Sequence, residues 1–206
     1  MGLWAADAPS ANATPTAHGR IVILGDSITA GYGLDPTRAY PALLQAKIDA
    51  AGLPFTVANA GVSGDTTAGG LRRLDWALGR GADVLMIALG GNDGLRGVAP
   101  KQTAENLAAM IQRARAKAPK IAVLVAGMEM PGNMGRAYTE EFSALFPKVA
   151  TAQKATLVPY LLAGVGGVTE LNQPDLIHPT AAGQERVADN VWVVLEKVLR
   201  ERGAAK

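Results

Sequence analysis

A serine at position 27 stands where an apolar run ends among glycines, in the stretch Ile23-Leu-Gly-Asp-Ser-Ile-Thr-Ala-Gly-Tyr-Gly33. Three chemistries suit such a residue: a nucleophile, a hydroxyl in a phosphate-binding loop, or a turn and helix-cap residue with no reactive role. A Walker-type loop needs Lys after its last glycine, and the chain contains no Gly-Lys pair. A dinucleotide site calls for Gly-x-Gly-x-x-Gly at the opening of the first helix, whereas Gly25 is followed by Asp26 and Ser27.

The nucleophile reading requires a base, because a serine hydroxyl is unreactive unaided. The chain has two histidines. His18 lies in a stretch rich in Ala, Pro and Thr that offers nothing to hold an imidazole, which leaves His178. Asp175 precedes it by three residues, close enough for one turn of chain to bring a carboxylate onto the second ring nitrogen. Pro179, with its preset φ, is expected to begin the final helix and carry this pair on a rigid start.

Acyl transfer also needs N–H donors aimed at the developing oxyanion, each worth ~10²–10³ in rate. Glycine permits a backbone amide to approach closely, and an Asn side chain supplies a further N–H. Gly64, in Gly61-Val-Ser-Gly-Asp65, and Asn92, in Gly90-Gly-Asn-Asp93, meet those needs alongside the amide of Ser27. Taken singly, Gly64 and Asn92-Asp93 read first as turn chemistry, and Asp26 as a cap or an acceptor of backbone N–H bonds. Asp175 and His178 could open a metal site, but no other His or Cys is at hand to complete one, leaving carboxylates alone for the task.

The elements that would position these residues follow from the hydropathy pattern. Short, nearly continuous apolar runs over 20–25, 55–60, 83–90, 120–127 and 155–160, bounded by Gly or Pro, read as parallel strands covered on both faces. Between them lie helical stretches over 40–51, roughly 71–80, 100–118 and 139–154, with a last helix over about 180–202. The βαβ alternation predicts an α/β fold, a three-layer α/β/α sandwich around a five-stranded parallel sheet of flavodoxin-like type. Ligands of such sheets bind outside the carboxyl ends of the strands. The Ser27, Gly64, Asn92 and His178 segments all fall at that edge.

Composition sets the outer limits. The chain has 206 residues, 49% of them hydrophobic, enough for one sizeable core, and residues 20–206 are expected to form a single domain. Residues 1–19, rich in Ala, Pro, Thr and Ser, read as a disordered or processed tail; Asp7 sits where a leader's apolar region would be. The balance of 20 Lys+Arg against 18 Asp+Glu, with no basic stripe, argues against a nucleic-acid partner. No apolar run approaches the ~20 residues of a membrane helix, so no stable membrane insertion is expected. The absence of cysteine removes disulfides, zinc-thiolate sites and thiol nucleophiles together.

The segments GDSITAGYG, NAGVSGDTT, LGGNDGLRG and DLIHPT resemble, in order and spacing, the four blocks of the SGNH (GDSL-type) hydrolases. Within that family the chain is most similar to the bacterial acyl-CoA thioesterase I, lysophospholipase L1 and arylesterase branch. Carried over by position, the resemblance implies Ser27 as nucleophile, His178 as base, Asp175 as its partner, and Ser27, Gly64 and Asn92 as oxyanion donors. It implies no cofactor. Ile28 replaces the Leu of the family's older name, which changes no chemistry.

The stretch from Gly127 to Phe142 resembles the branch's substrate-lining loop, where Met128, Met130 and Met134 depart from the expected pattern. Asp26, Asp93, Met130 and Met134 are the candidate substrate contacts. The expected activity is a serine esterase acting on small-molecule esters or thioesters of short- to medium-chain acyl groups, in the periplasm or secreted, with the cytoplasm as the alternative location. The alternatives are a carbohydrate O-deacetylase and a non-catalytic acyl- or glycan-binding module on the same fold. Sugar binding recruits exposed aromatics, and of the three tryptophans only Trp76 is expected near the rim, with Trp192 in the last helix and Trp4 in the tail.

Overall fold

The computed structural model describes residues 19–204. His18, Trp4 and the expected tail therefore lie outside the described residues, apart from Gly19, which is the first residue of a strand. Five strands form one sheet: β1 (Gly19–Gly25), β2 (Phe55–Gly61), β3 (Val84–Ala88), β4 (Ala122–Ala126) and β5 (Thr156–Val158). All pairs are parallel and the spatial order is β2-β1-β3-β4-β5. This is the flavodoxin-like order, whose topological switch point lies between β1 and β3.

The central strands are apolar throughout because helices cover both faces. Ile21 to Leu24 and Val84 to Ala88 have no exposed surface. Helices α2 (Tyr40–Ala50) and α7 (Ala181–Ala204) pack together, while α3 (Thr67–Ala77), α5 (Pro100–Lys117) and α6 (Arg136–Ala152) form a second set in which α5 touches both neighbours. The three-layer α/β/α sandwich and five-stranded parallel sheet expected from the sequence are present.

Strands β3, β4 and β5 are shorter than their apolar runs, whereas β1 and β2 each extend one residue beyond theirs. The run 83–90 yields a strand only over Val84–Ala88, because the chain turns at Gly90, with φ +127°, into a short helix α4 (Gly91–Leu95). A one-turn helix α1 (Ser27–Ala30) likewise follows β1 directly. Neither is long enough to show a helical period. Helix α3 begins four residues before the expected start, since Thr66 caps it by accepting from the Gly69 N–H. Pro179 does not open the last helix. It pairs with Asn172 in an isolated antiparallel bridge, and α7 starts at Ala181 with the Thr180 hydroxyl accepting from the Gly183 N–H.

The seat of α1 is set by a glycine on the neighbouring strand. Gly61 pairs with Gly25, and a Cβ there would lie 2.4 Å from the Ala30 amide nitrogen and 2.8 Å from the Thr29 carbonyl carbon. Both obstacles are backbone, so relief requires moving α1 itself. Gly61→Ala is expected to lower stability by about 1–3 kcal/mol in urea denaturation and to reduce esterase turnover of the folded protein. Wild-type values of both would show that α1 tolerates displacement.

Candidate active site

Ser27 is the first residue of α1 and is 9% exposed. Asp26 caps this helix through Oδ1, which accepts from the Ile28 N–H at 3.0 Å, and Gly31 ends it in a left-handed conformation with φ +77°. The buried Gln184 of α7 secures the same turn, donating from Nε2 to the Ile28 carbonyl at 3.0 Å while its Oε1 accepts from the Tyr40 N–H at 2.9 Å. The serine is thus fixed by bonds to residues on either side of it and to two other helices.

His178 arrives on a loop. Its base is closed by the Asn172–Pro179 bridge, by the Gln173 N–H donating to the His178 carbonyl at 2.7 Å, and by the Thr180 N–H donating to the Leu171 carbonyl at 2.9 Å. Within it Asp175 Oδ1 accepts from the Ile177 and His178 N–H groups, each at 2.9 Å, and Leu176 takes a left-handed φ of +58°. Asp175 Oδ2 lies 2.6 Å from His178 Nδ1, and His178 Nε2 lies 2.8 Å from Ser27 Oγ. A carboxylate only accepts, so Nδ1 carries the proton and the unprotonated Nε2 faces the serine hydroxyl. That is the arrangement a general base needs to take the hydroxyl proton.

The two nearby carboxylates have opposite environments. The backbone and ring donors of His178, with the Ile177 N–H, hold Asp175 down at about 2, so it stays ionised whenever the imidazole functions. Burial raises Asp26 to about 6, only partly offset by the Ile28 N–H and the nearby His178.

The donors expected to face an oxyanion lie at the same edge. Gly64 sits in the turn after β2 with φ +77°, a left-handed backbone suited to glycine. Asn92 lies in the first turn of α4, and its Nδ2 donates to the Asp65 carbonyl at 3.0 Å and reaches Asp26 Oδ2 at 3.4 Å. The Arg96 guanidinium donates to the Gly64 carbonyl at 2.9 Å, joining the two segments across the mouth.

Of the four expected substrate contacts, two are buried carboxylates, and Asp26 fills the cap role that the sequence also offered. Asp26 is 2% exposed and Asp93 1%, so neither carboxylate is presented to a ligand. Asp93 instead accepts from the Thr67 N–H at 2.8 Å and from the Thr67 hydroxyl, joining α4 to α3. Met130 is partly buried and packs its thioether against Gly94, two residues beyond Asn92. Met134 is partly buried at the end of a single 3₁₀ turn, and Met128 is a core residue at 4% exposure.

Sequence reasoning missed Tyr32. Its ring lies 4.5 Å from the imidazole of His178, and its carbonyl accepts from Gln173 Nε2 at 2.7 Å. The one available signal was its place five residues after Ser27 in Gly-Tyr-Gly. Trp76, expected at the rim, is 77% exposed at the far end of α3, about 13 Å along the helix from Thr67. Among the described residues, no cluster of three or more His, Cys, Asp or Glu could hold a metal ion.

Because folding raises the proton affinity of Asp26 above the ordinary 3.8, the folded chain binds more protons than the unfolded one between about pH 4 and 6. This residue's contribution to stability therefore falls as pH rises through that window. Asp26→Asn, which keeps a cap oxygen, is expected to gain up to about 3 kcal/mol at pH 7 relative to its effect at pH 4, measured by urea denaturation. An effect identical at the two pH values would contradict the burial argument.

Comparison with known proteins places this geometry in a family. A GDSL-like lipase/acylhydrolase family model matches residues 23–186. The chain is 47% identical over 180 residues to Esterase TesA of Pseudomonas aeruginosa, covering 87% of this chain and 89% of that protein. It is 39% identical over 170 residues to the Escherichia coli K12 thioesterase 1/protease 1/lysophospholipase L1, covering 82% and 79%. A crystal structure of TesA superposes with a TM-score of 0.83 at 46% identity, covering 86% of this chain and 98% of that one. This chain belongs to the GDSL-like lipase/acylhydrolase family and is a carboxylic ester hydrolase.

Proposed function

We propose that Ser27, His178 and Asp175 form the catalytic triad of a serine esterase, acting on carboxylic esters or thioesters of short- to medium-chain acyl groups. The single observation that carries the reading is the continuous chain Asp175 Oδ2, His178 Nδ1, His178 Nε2, Ser27 Oγ, with contacts of 2.6 and 2.8 Å. Ser27 Oγ attacks the carbonyl carbon as Nε2 takes its proton, and the imidazolium is stabilised by Asp175. The tetrahedral oxyanion is received by the amides of Ser27 and Gly64 and the side chain of Asn92. Collapse expels the alcohol or thiol, which takes the proton from Nε2. Water, activated by the same nitrogen, then releases the acid and restores Ser27.

The substrate class rests on what surrounds the serine. Tyr32, Val62, Leu95, Leu176 and Ile177 are exposed large apolar side chains, all on segments following strand ends or on the His178 loop. With Met130 against Gly94, and Met134 beyond it, they offer an acyl chain an apolar lining. The relatives named as esterase and thioesterase support the same class. Trp76, at the far end of α3, offers no stacking surface beside Ser27, which leaves Tyr32 as the exposed aromatic there for a sugar-directed deacetylase to use. No described helix is long and apolar enough to cross a membrane. We place the enzyme in the periplasm or outside the cell, with residues 20–206 as its catalytic domain.

Hydrolysis of p-nitrophenyl esters from acetate to palmitate tests this directly. Wild type is expected to prefer short to medium chains, and Ser27→Ala to lose roughly 10³-fold or more. Equal rates for the two proteins would remove Ser27 from the chemistry.

A further inference from the structure

Arg73 projects from α3 to the carboxyl edge of the sheet, where it has no part in the proton path. Its guanidinium makes three bonds to three different segments. Nη2 donates to the Gly25 carbonyl at 2.8 Å, Nη1 to the Ala60 carbonyl at 2.7 Å, and Nε to Asp65 Oδ2 at 2.6 Å. The side chains of Arg73 and Asp65 are only 18% and 11% exposed, so the pair is largely shielded from water. Gly69 makes room for it: a Cβ there would lie 1.7 Å from Asp65 Oδ1.

The three acceptors sit at the roots of the oxyanion donors. Gly25 is two residues before Ser27, Asp65 directly follows Gly64, and Ala60 is the penultimate residue of the strand that leads to that turn. The third donor depends on the same residue, because the Asp65 carbonyl accepts from Asn92 Nδ2 at 3.0 Å. A planar guanidinium with its donors in a fixed fork suits this task, since each bond constrains the direction of the others.

We infer that Arg73 is the positioning residue of the oxyanion hole, holding the Ser27, Gly64 and Asn92 donors in register through Gly25, Ala60 and Asp65. The inference rests on the oxyanion reading above and extends it to a residue that touches no substrate. Lysine keeps the charge but cannot bridge three acceptors in one plane. A displacement of ~1 Å in a reacting group costs about 10²-fold in rate.

The test is a double-mutant cycle between Arg73→Lys and Asn92→Ala in the full-length enzyme, read as kcat and KM on a p-nitrophenyl ester, with thermal unfolding of each variant. Arg73→Lys alone is expected to lose about 10²-fold in kcat with KM within roughly threefold. In the Asn92→Ala background the same substitution is expected to cost less than a tenth of that loss, because the hole is already broken. Equal losses in both backgrounds overturn the inference while leaving the oxyanion hole intact. Wild-type turnover by Asn92→Ala alone instead removes the hole reading, and the inference with it. If Arg73→Lys does not fold, Asp65→Asn enters the same cycle with the same outcomes, since it weakens the guanidinium bond but keeps the carbonyl that receives Asn92.

Discussion

The contact between His178 Nε2 and Ser27 Oγ joins groups 151 residues apart in the chain, and at 2.8 Å it tolerates little error at either end. Much of the edge architecture serves one end or the other. On the serine side, Asp26 caps α1, Gly61 lets it rest on β2, and Gln184 ties it to α7. On the histidine side, the Asn172–Pro179 bridge and the Gln173 bonds close the loop, while two backbone N–H groups aim the Asp175 carboxylate. Gln173 also spans the two sides, donating to the carbonyls of Tyr32 and Pro179.

Electrostatics divides the labour between two carboxylates near one imidazole. Asp175 is partly exposed and surrounded by donors, so it is an anion at any pH where the enzyme works. Asp26 is buried under the rim with few donors, and its charge is costly near neutral pH. The first therefore suits stabilisation of an imidazolium and the second suits capping and support, although both stand close to the same residues in the fold.

Much of this was legible in the sequence. The strands could be read because burial on both faces makes them short apolar runs, and the fold class followed from their alternation with helices. Ser27, His178 and Asp175 could be proposed by elimination among two histidines and the missing loop signatures. What stayed hidden depended on three-dimensional neighbours. Helices α1 and α4 are too short to carry a period, and the start of α7 is decided by a bridge between Asn172 and Pro179 that no local propensity announces. Asp26 and Asp93 read as candidate ligand contacts because an acid beside a catalytic residue looks the same in sequence whether it faces solvent or the core. Arg73 is one of several cations in the helical stretches of the sequence, and only its three acceptors, drawn from 13 and 48 residues away along the chain and from Asp65, set it apart.

The central claim is that acyl transfer passes through Ser27. It is tested most directly by mass spectrometry of the enzyme quenched during turnover of a p-nitrophenyl ester, followed by peptide mapping. The account predicts one acyl group per chain, on the peptide containing Ser27, and none when His178 is replaced by Ala. Steady turnover with the acyl group on another residue, or with Ser27 unmodified at every quench time, would contradict it.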